Sequence, residues 1–204
     1  MPQDQPKQNR MERKKDKMRK QIINVALDLF RSQGFTNTTM EQIAHEVDIA
    51  KKTLYNYFPE KEAIISSYVQ ESVDQTILQL DEFIKSYPDF KSCILALFKN
   101  NTQIYMAELE IWQVYTAYRL QNMLHPNKRM GLRSGLEEVF KIIIDQGQKT
   151  GEVRADVSAQ YLAQQLEMSY ALAVFTWLAD PKDFSLNNNL ALCLEVFLNG
   201  AKAQ

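Results

Sequence analysis

Cysteine, histidine, glycine and proline are all scarce in this sequence of 204 residues. Its 2 cysteines, Cys93 and Cys193, lie in separate apolar runs, which indicates buried thiols in a reducing, cytoplasmic compartment and excludes a disulfide framework. Its 2 histidines stand far apart, so we expect no metal site. With 6 glycines and 6 prolines, the chain has few of the turn residues that a sheet-rich fold or a glycine-lined nucleotide site requires.

Long apolar runs and catalytic motifs are also missing. The longest apolar run, residues 170–179, is too short to span a bilayer, and no signal-peptide core follows the first charges. The sequence contains no Gly-x-Ser-x-Gly, His-Glu-x-x-His, Cys-x-x-Cys or phosphate-binding loop. We therefore expect no membrane partner, no cofactor and no enzymatic activity.

The charge is unevenly distributed along the chain. Residues 1–65 carry 12 basic and 9 acidic side chains, whereas residues 66–204 carry 12 basic and 16 acidic ones. A basic amino-terminal part followed by a mildly acidic body indicates a head that binds a polyanion.

Apolar residues recur at intervals of three and four along most of the chain, which predicts an all-α fold of about nine helices. The predicted segments are 10–33, 39–47, 51–58, 61–86, 89–106, 108–124, 127–149, 157–179 and 187–201. Gly34 is placed to end the first helix, and Asp156 to cap the eighth. Thr38 and Thr39 each precede a Glu or Gln by three residues, so either can begin the second helix with a capping box.

Residues 39–58 have the spacing of a helix-turn-helix, in which the second helix enters the major groove of DNA. Leu54 and Phe58 supply one apolar face of that second helix at a spacing of four residues. Its other face offers side chains that can contact bases or phosphates. These are Lys51, Lys52, Thr53, Asn56 and Tyr57.

The run Phe35-x-x-Thr38-Thr39-Met40-x-x-Ile43-Ala44-x-x-Val47, followed by Thr53-Leu54-Tyr55-Asn56-Tyr57-Phe58-x-x-Lys61-Glu62, resembles the TetR family of bacterial repressors. The resemblance covers about a quarter of the chain. It implies a three-helix head at residues 10–60, after a disordered tail at 1–9. It also implies a helical-bundle body at 61–204 that binds a small-molecule ligand and forms a homodimer. Such a regulator would bind a palindromic operator in double-stranded DNA and be released by its ligand.

The resemblance also implies which side chains of the head contact the operator. They are Thr39, Lys51, Lys52, Thr53, Tyr55, Asn56, Tyr57 and Lys61. Tyr55 would touch the DNA backbone or pack within the head, and Lys61 would bind a phosphate. The sequence departs from the family pattern at Lys52, where a small residue is common, and at Glu60, which replaces a small helix cap.

Residues 170–179 and 190–198 are apolar on every helical face, so each helix needs a second surface to cover it. We therefore predict a twofold interface of four helices, built from about 158–179 and 187–200 of each protomer. The predicted interface residues are Leu166, Tyr170, Val174, Trp177, Leu190, Leu194 and Phe197. The alternative is that these helices are simply central in a monomer.

Aromatic residues concentrate in the middle of the body, as a small-molecule pocket requires. The predicted lining is Phe98, Tyr105, Trp112, Tyr115, Tyr118, Arg119, Phe140 and Tyr170. An aromatic stripe of this kind also suits an ordinary core. Arg119 is expected to meet an anionic ligand, or else Glu108 or Glu137. A helical protein-interaction module without DNA binding, and an enzyme, remain alternative functions for the whole chain.

Overall fold

The computed structural model describes residues 10–123 and 135–201, and the described chain consists of nine α-helices without a strand. The helices are α1 (Arg10–Gln33), α2 (Met40–Glu46), α3 (Lys51–Tyr57), α4 (Lys61–Lys85), α5 (Phe90–Ala107), α6 (Leu109–Met123), α7 (Leu136–Thr150), α8 (Ala159–Ala179) and α9 (Leu186–Ala201). This confirms the all-α prediction. The predicted disordered tail 1–9 and the first part of the predicted helix 127–149 lie outside the described residues.

The chain divides into two compact units, Met1–Tyr68 and Val69–Gln204, and the division falls inside α4. The first unit therefore contains α1 to α3 and the first two turns of α4. The second unit contains the rest of α4 and α5 to α9. The domain boundary predicted between residues 60 and 61 stays a prediction.

The first unit is built on the apolar stripe of α1, whose buried side chains are Ile22, Ile23, Ala26, Leu27 and Phe30. Gly34 ends this helix as predicted, because its φ of 85° lies in the left-handed region, where a side chain is disfavoured. Its N–H donates to the carbonyl of Phe30 at 3.0 Å, and the chain then turns so that the Phe35 ring packs against Phe30.

The core of the second unit is formed where α5, α7, α8 and α9 pack together. Three rings stand at its centre: Phe98 meets Phe140 edge to face and lies 5.0 Å from Tyr170, centroid to centroid. Gly147 lets α7 approach closely, since a Cβ there would lie 2.9 Å from the Phe90 ring. Among residues 10–123 and 135–201, no helix is both long and apolar enough to cross a bilayer.

The eighth helix is capped by Ser158 and not by Asp156. The Ser158 hydroxyl accepts from the backbone N–H of Tyr161 at 3.3 Å. Asp156 is instead held by Arg154, which donates to both carboxylate oxygens at 2.7 and 2.6 Å. The Arg154 guanidinium lowers the pKa of the Asp156 carboxyl through these bonds. The predicted cap at Asp156 is therefore wrong, because the bidentate pair with Arg154 holds its carboxylate.

Candidate nucleic-acid interface and aromatic core

The helix-turn-helix begins with a complete capping box on α2. The hydroxyl of Thr39 accepts from the backbone N–H of Gln42, and the Gln42 side chain accepts from the backbone N–H of Thr39. Thr38, the other candidate, donates instead to the carbonyl of Gly34 and is fully buried. The first of the two helices is therefore fixed at its amino end by local hydrogen bonds.

The turn between α2 and α3 depends on an aspartate in the left-handed conformation. Asp48 has a φ of 58° and its N–H donates to the carbonyl of His45. The N–H of Ile49 donates to the carbonyl of Ala44, which completes the hydrogen-bond pattern of a Schellman motif. Aspartate tolerates this conformation better than most residues, so the chain turns here without a glycine.

The predicted reading helix α3 is anchored by its apolar face. Leu54 and Phe58 are buried in the first unit, as their spacing predicted. Lys51, Lys52, Tyr55 and Asn56 are exposed, and Thr53 and Tyr57 are half-buried. The structure thus leaves the side chains expected to face DNA on the solvent side of a firmly packed helix. Their contacts with DNA stay a prediction.

Lys51 already has a partner on the neighbouring helix. Its ammonium pairs with the Glu41 carboxylate and lies 5.8 Å from the centre of the Tyr55 ring. The hydrogen bond between the two raises the pKa of Lys51 and lowers the pKa of Glu41. An exposed pair of this kind is weak and screened by salt, so a DNA phosphate or base can replace Glu41.

Lys61 serves the packing of the head and is not left open for phosphate. Its Nζ donates to the carbonyls of Phe35 and Thr38 at 2.7 and 2.6 Å, and it lies 4.3 Å from the centre of the Phe35 ring. Two of its three donors are thereby occupied. The predicted phosphate contact would have to use the third donor or exchange these bonds.

Arg19 ties α1 to the rest of the head, and the sequence reasoning missed it. Its Nη2 donates to the hydroxyl of Ser67 at 2.5 Å, and its guanidinium stacks 4.7 Å from the centre of the Phe58 ring. Its position was informative, because Arg19 precedes Ile22, Ile23 and Ala26 at helical spacing and so lies on the buried stripe of α1. The arginine closes the end of an apolar face, with its charge stacked on an aromatic ring.

The aromatic residues predicted to line a pocket form one packed cluster in the second unit. Tyr105 lies 4.3 Å from Trp112, and Trp112 meets Tyr115 edge to face at 5.5 Å. Phe98, Phe140 and Tyr170 continue the cluster into the core, while Tyr118 and Arg119 are half-buried beside it. The structure brings these residues together. Whether they line a pocket stays a prediction.

A chain of polar side chains crosses this otherwise apolar cluster. Asn101 Nδ2 donates to the Tyr170 hydroxyl at 3.1 Å, and that hydroxyl donates to Tyr105 at 2.8 Å. Only one of the two phenol hydrogens can lie between the oxygens, so the other is left for a further acceptor. The indole Nε1 of Trp112 is buried and has no hydrogen-bond partner within residues 10–123 and 135–201. The cluster therefore carries donors that an oxygen acceptor would satisfy.

Arg119 pairs with a residue that was not predicted. Its Nη2 lies 3.9 Å from Oε1 of Glu167, whose side chain is mostly buried on α8. Its guanidinium also lies 5.7 Å from the centre of the Tyr115 ring. Glu137, one predicted partner, accepts instead from the amides of Gln160 and Gln164. Arg119 thus lies between Glu167 and the Tyr115 ring, and its contact with a ligand stays a prediction.

An open groove of about 460 Å³ lies between α4 and α5. Its lining includes Phe83, Leu97, Asn101 and Ile104, and none of the predicted pocket residues. Asn101 faces this groove and also begins the polar chain to Tyr170 and Tyr105. The groove thus adjoins the Asn101 end of this series of hydrogen bonds. No sequence pattern indicated that the two are connected.

The two buried tyrosines predict a specific loss of stability in alkali. Burial raises the pKa of both Tyr105 and Tyr170. Above the unfolded value of about 10, the unfolded chain releases protons that the folded chain retains, so stability falls as pH rises, by at most about 1.4 kcal/mol per pH unit for each tyrosine. Denaturant unfolding between pH 9 and 11 should show a smaller slope for Tyr170→Phe. The same change at the exposed Tyr55 of α3 should leave the slope unaltered, and equal slopes for all three proteins would contradict the assignment.

The side chains predicted for the dimer interface require correction. Leu166, Tyr170, Val174, Trp177, Leu190 and Leu194 are buried in the core of the protomer itself, and Phe197 is half-buried against Phe90. A side chain already covered by its own chain has no surface to offer a partner. Apolar side chains on the opposite faces of α8 and α9 are exposed instead, and we call them the exposed stripe. They are Tyr161, Met168, Leu172, Leu192 and Val196.

Comparison with known proteins agrees with the helix-turn-helix and the all-α fold described above. Residues 22–68 match the family model described as bacterial regulatory proteins, tetR family. The fatty acid metabolism regulator protein of Bacillus subtilis is 22% identical over 181 residues, which cover 88% of this chain and 93% of the relative.

Solved structures share the fold over nearly the whole chain. FadR of Thermus thermophilus, a TetR-family repressor solved with lauroyl-CoA, matches with a TM-score of 0.80 at 23% identity and covers 91% of this chain and 96% of its own. FadR of Bacillus subtilis, solved with stearoyl-CoA, matches with a TM-score of 0.64 at 21% identity and covers 89% and 98%. Residues 22–68 therefore match the helix-turn-helix domain of the bacterial tetR-family regulators, and the chain shares its all-α fold over nearly its whole length with solved regulators of that family.

Proposed function

We propose that the chain is a repressor that binds a palindromic operator as a homodimer and is released by a long-chain acyl-CoA. The polar chain inside the aromatic cluster is the observation that carries the ligand assignment. It leaves unsatisfied donors among apolar side chains, the combination that would recognise a molecule with a long hydrocarbon part and one embedded oxygen acceptor. A fatty acyl thioester has that composition.

The names of similar proteins support the same ligand class. The Thermus thermophilus FadR structure contains lauroyl-CoA, and the Bacillus subtilis FadR structure contains stearoyl-CoA. The Bacillus subtilis relative that is 22% identical is named a fatty acid metabolism regulator protein. In this chain, Phe98, Phe140 and Leu166 would surround the acyl chain. Trp112 Nε1 or the Tyr105 hydroxyl would donate to the thioester carbonyl.

The exposed stripe supports the homodimer. Tyr161, Met168 and Leu172 recur along α8 at intervals of seven and four residues, so they form one apolar line on the face away from the core. Leu192 and Val196 form a second such line on α9. A monomer would leave both lines in water, whereas twofold packing of α8 and α9 against the same helices of a partner would cover them.

The operator would then have twofold symmetry with one α3 in each half-site. Half-sites read by a helix-turn-helix dimer are centred about 34–36 Å apart, or a multiple of that. Lys51, Lys52 and Asn56 would read bases, while Thr39, Thr53, Tyr55 and Tyr57 would hold the backbone.

The experiment combines operator selection with ligand release. Duplexes are selected from a random-sequence pool with the full-length protein, and the enriched duplex is titrated with lauroyl-CoA, stearoyl-CoA or CoA alone. Each acyl-CoA should weaken DNA binding at least tenfold, which corresponds to about 1.4 kcal/mol of coupling, and CoA should have no effect. Failure to enrich a symmetric duplex would contradict the operator proposal. Enrichment without a response to either acyl-CoA would contradict the ligand proposal alone.

Trp112→Phe tests the donor role within the same assay. The substitution keeps an aromatic ring and removes the N–H, so DNA affinity should be unchanged while the response to lauroyl-CoA is weakened. Tyr87→Phe, at a half-buried position of the same unit outside the aromatic cluster, is the matched control and should respond like the unaltered protein. A normal response from Trp112→Phe would remove the indole from the ligand site.

A further inference from the structure

The two adjacent lysines at the start of α3 have different surroundings. Lys51 pairs with the Glu41 carboxylate of α2, and its ammonium lies 5.8 Å from the centre of the Tyr55 ring. Lys52 is also exposed, but it makes no ion pair with any residue of 10–123 or 135–201. One lysine is therefore held in a defined direction beside a negative charge, and the other is not.

Glu41 brings a carboxylate to the surface that α3 is proposed to present to DNA, because it contacts Lys51 on that helix. The side chains of Glu41 and Lys51 are 55% and 58% exposed, so neither is needed to fill the core of the head. A carboxylate near the phosphate backbone is repelled, so Glu41 lowers the affinity of the head for duplex in general. Any gain from Glu41 must therefore come through what it does to Lys51.

A duplex offers Lys51 two kinds of partner, and they have opposite consequences for Glu41. If Lys51 bonds to a phosphate, the Glu41 carboxylate is either drawn towards a second negative charge or left without its partner. Guanine instead presents the neutral acceptors O6 and N7 in the major groove. An ammonium has three donors, so Lys51 can bond to guanine with two of them and keep the third on Glu41. The pair thus favours a guanine edge over a phosphate.

We infer that Glu41 is a positioning residue that directs Lys51 to guanine and lowers the affinity of the head for other duplex sequences. The inference rests on the proposed operator binding and adds a determinant of specificity to it. Tyr55 supports the same direction, because the Lys51 ammonium lies over its ring while it is paired with Glu41. Contacts from two helices therefore restrain a side chain that is otherwise flexible. Specificity is a difference of affinities, and Glu41 increases it by weakening the unwanted complex.

The test is a double-mutant cycle between Glu41→Gln and Lys51→Gln. Affinity is measured for the enriched operator and for a random-sequence duplex over a range of salt concentrations. Glu41→Gln should lower the ratio of operator affinity to random-duplex affinity by about fivefold or more, the lower end of what one bidentate contact with guanine contributes. It should also steepen the slope of log affinity against log salt on the random duplex, by about 0.9 for each head whose Lys51 gains a phosphate. Neither change should occur in the Lys51→Gln protein.

Two controls separate the pair from the general effect of charge. Glu46→Gln removes a similarly exposed carboxylate from the same helix, one that pairs with His45, and it should leave the affinity ratio nearly unchanged. Lys52→Gln replaces the neighbouring lysine, and Glu41→Gln should keep its full effect on the ratio in that background. Equal effects of Glu41→Gln and Glu46→Gln, with and without Lys51, in proteins that still bind the operator would overturn the inference and leave the proposed function intact.

Repeating the operator selection with each variant gives a readout that a merely structural role would not move. The half-site position at which Lys51→Gln loses a preference for guanine identifies the base that Lys51 reads. Glu41→Gln should lose the same preference at that position and retain the others. A preference that survives Glu41→Gln, or that survives Lys51→Gln, would overturn the positioning role. If the unaltered protein enriches no duplex, the proposed function fails and this inference fails with it.

Discussion

Leu172→Glu should convert the proposed dimer into monomers and weaken operator binding at least 100-fold. Leu172 is 68% exposed at the carboxy-terminal end of the apolar line on α8, so a twofold interface built on that line would bury it. A glutamate there would bury a carboxylate from each protomer in an apolar contact, which opposes association strongly. A monomer presents a single reading helix and loses the second half-site. Sedimentation velocity and DNA titration of the same preparation measure both effects.

The matched control for this change is Leu78→Glu. Leu78 is a leucine of α4 that is 76% exposed and lies outside α8 and α9. It should leave the protein dimeric and its DNA affinity unaltered. A dimeric Leu172→Glu protein with full affinity would show that the exposed stripe is not the interface.

Phe140→Ala should lower the free energy of unfolding by about 3–5 kcal/mol. The Phe140 ring is fully buried and meets both Phe98 and Tyr170 edge to face, at 6.1 and 5.7 Å between centroids. Truncation removes the transfer free energy of the ring and leaves a cavity between α5, α7 and α8, because close-packed neighbours relax only in part. Denaturant unfolding monitored by circular dichroism gives the change.

Phe184→Ala provides the comparison for this second change. Phe184 is only partly buried at the edge of the same core, so water can fill the space that its ring leaves. We expect less than half of the Phe140 effect. Equal losses at the two positions would indicate that the centre of the core tolerates a cavity, contrary to the packing described above.

The sequence was sufficient to predict the helices and their order. Boundaries agree within two residues wherever a local signal marks them, as at Gly34, at Thr39 and before Pro59. These signals act through the backbone of a few neighbouring residues, so they can be recognised without tertiary structure. The apolar face of α3 was predicted for the same reason, since Leu54 and Phe58 are one helical turn apart.

The sequence could not decide which side of an all-apolar helix faces inward. On α8, Leu166 and Leu172 are alike in chemistry, yet one is fully buried and the other is mostly exposed. The choice depends on which helices pack against α8, and periodicity carries no such information when every face is apolar. The predicted interface therefore fell on core residues.

The partners of polar side chains were the other feature that the sequence did not show. Lys61 and Arg119 were assigned to a phosphate and a ligand, and each has a partner within its own unit, so both assignments stay predictions. The sequence identifies the donors without showing which carbonyl or carboxylate lies within reach. The left-handed conformation of Asp48 was missed for the same reason. It follows from the hydrogen bonds of a turn that contains no glycine, and the sequence does not show those bonds.

The indole of Trp112, whose Nε1 is buried, also allows the second unit to be followed by tryptophan fluorescence. The chain has only 2 tryptophans, and the other, Trp177, can be replaced by phenylalanine to leave a single emitter. Indole emission shifts to longer wavelength when the N–H gains a hydrogen-bond acceptor and when the surroundings become more polar. An acyl thioester arriving beside Trp112, or water entering when the cluster loosens, would therefore change the colour and intensity of its fluorescence. Ligand binding at the aromatic cluster, as proposed above, could thus be followed in the unlabelled protein without DNA.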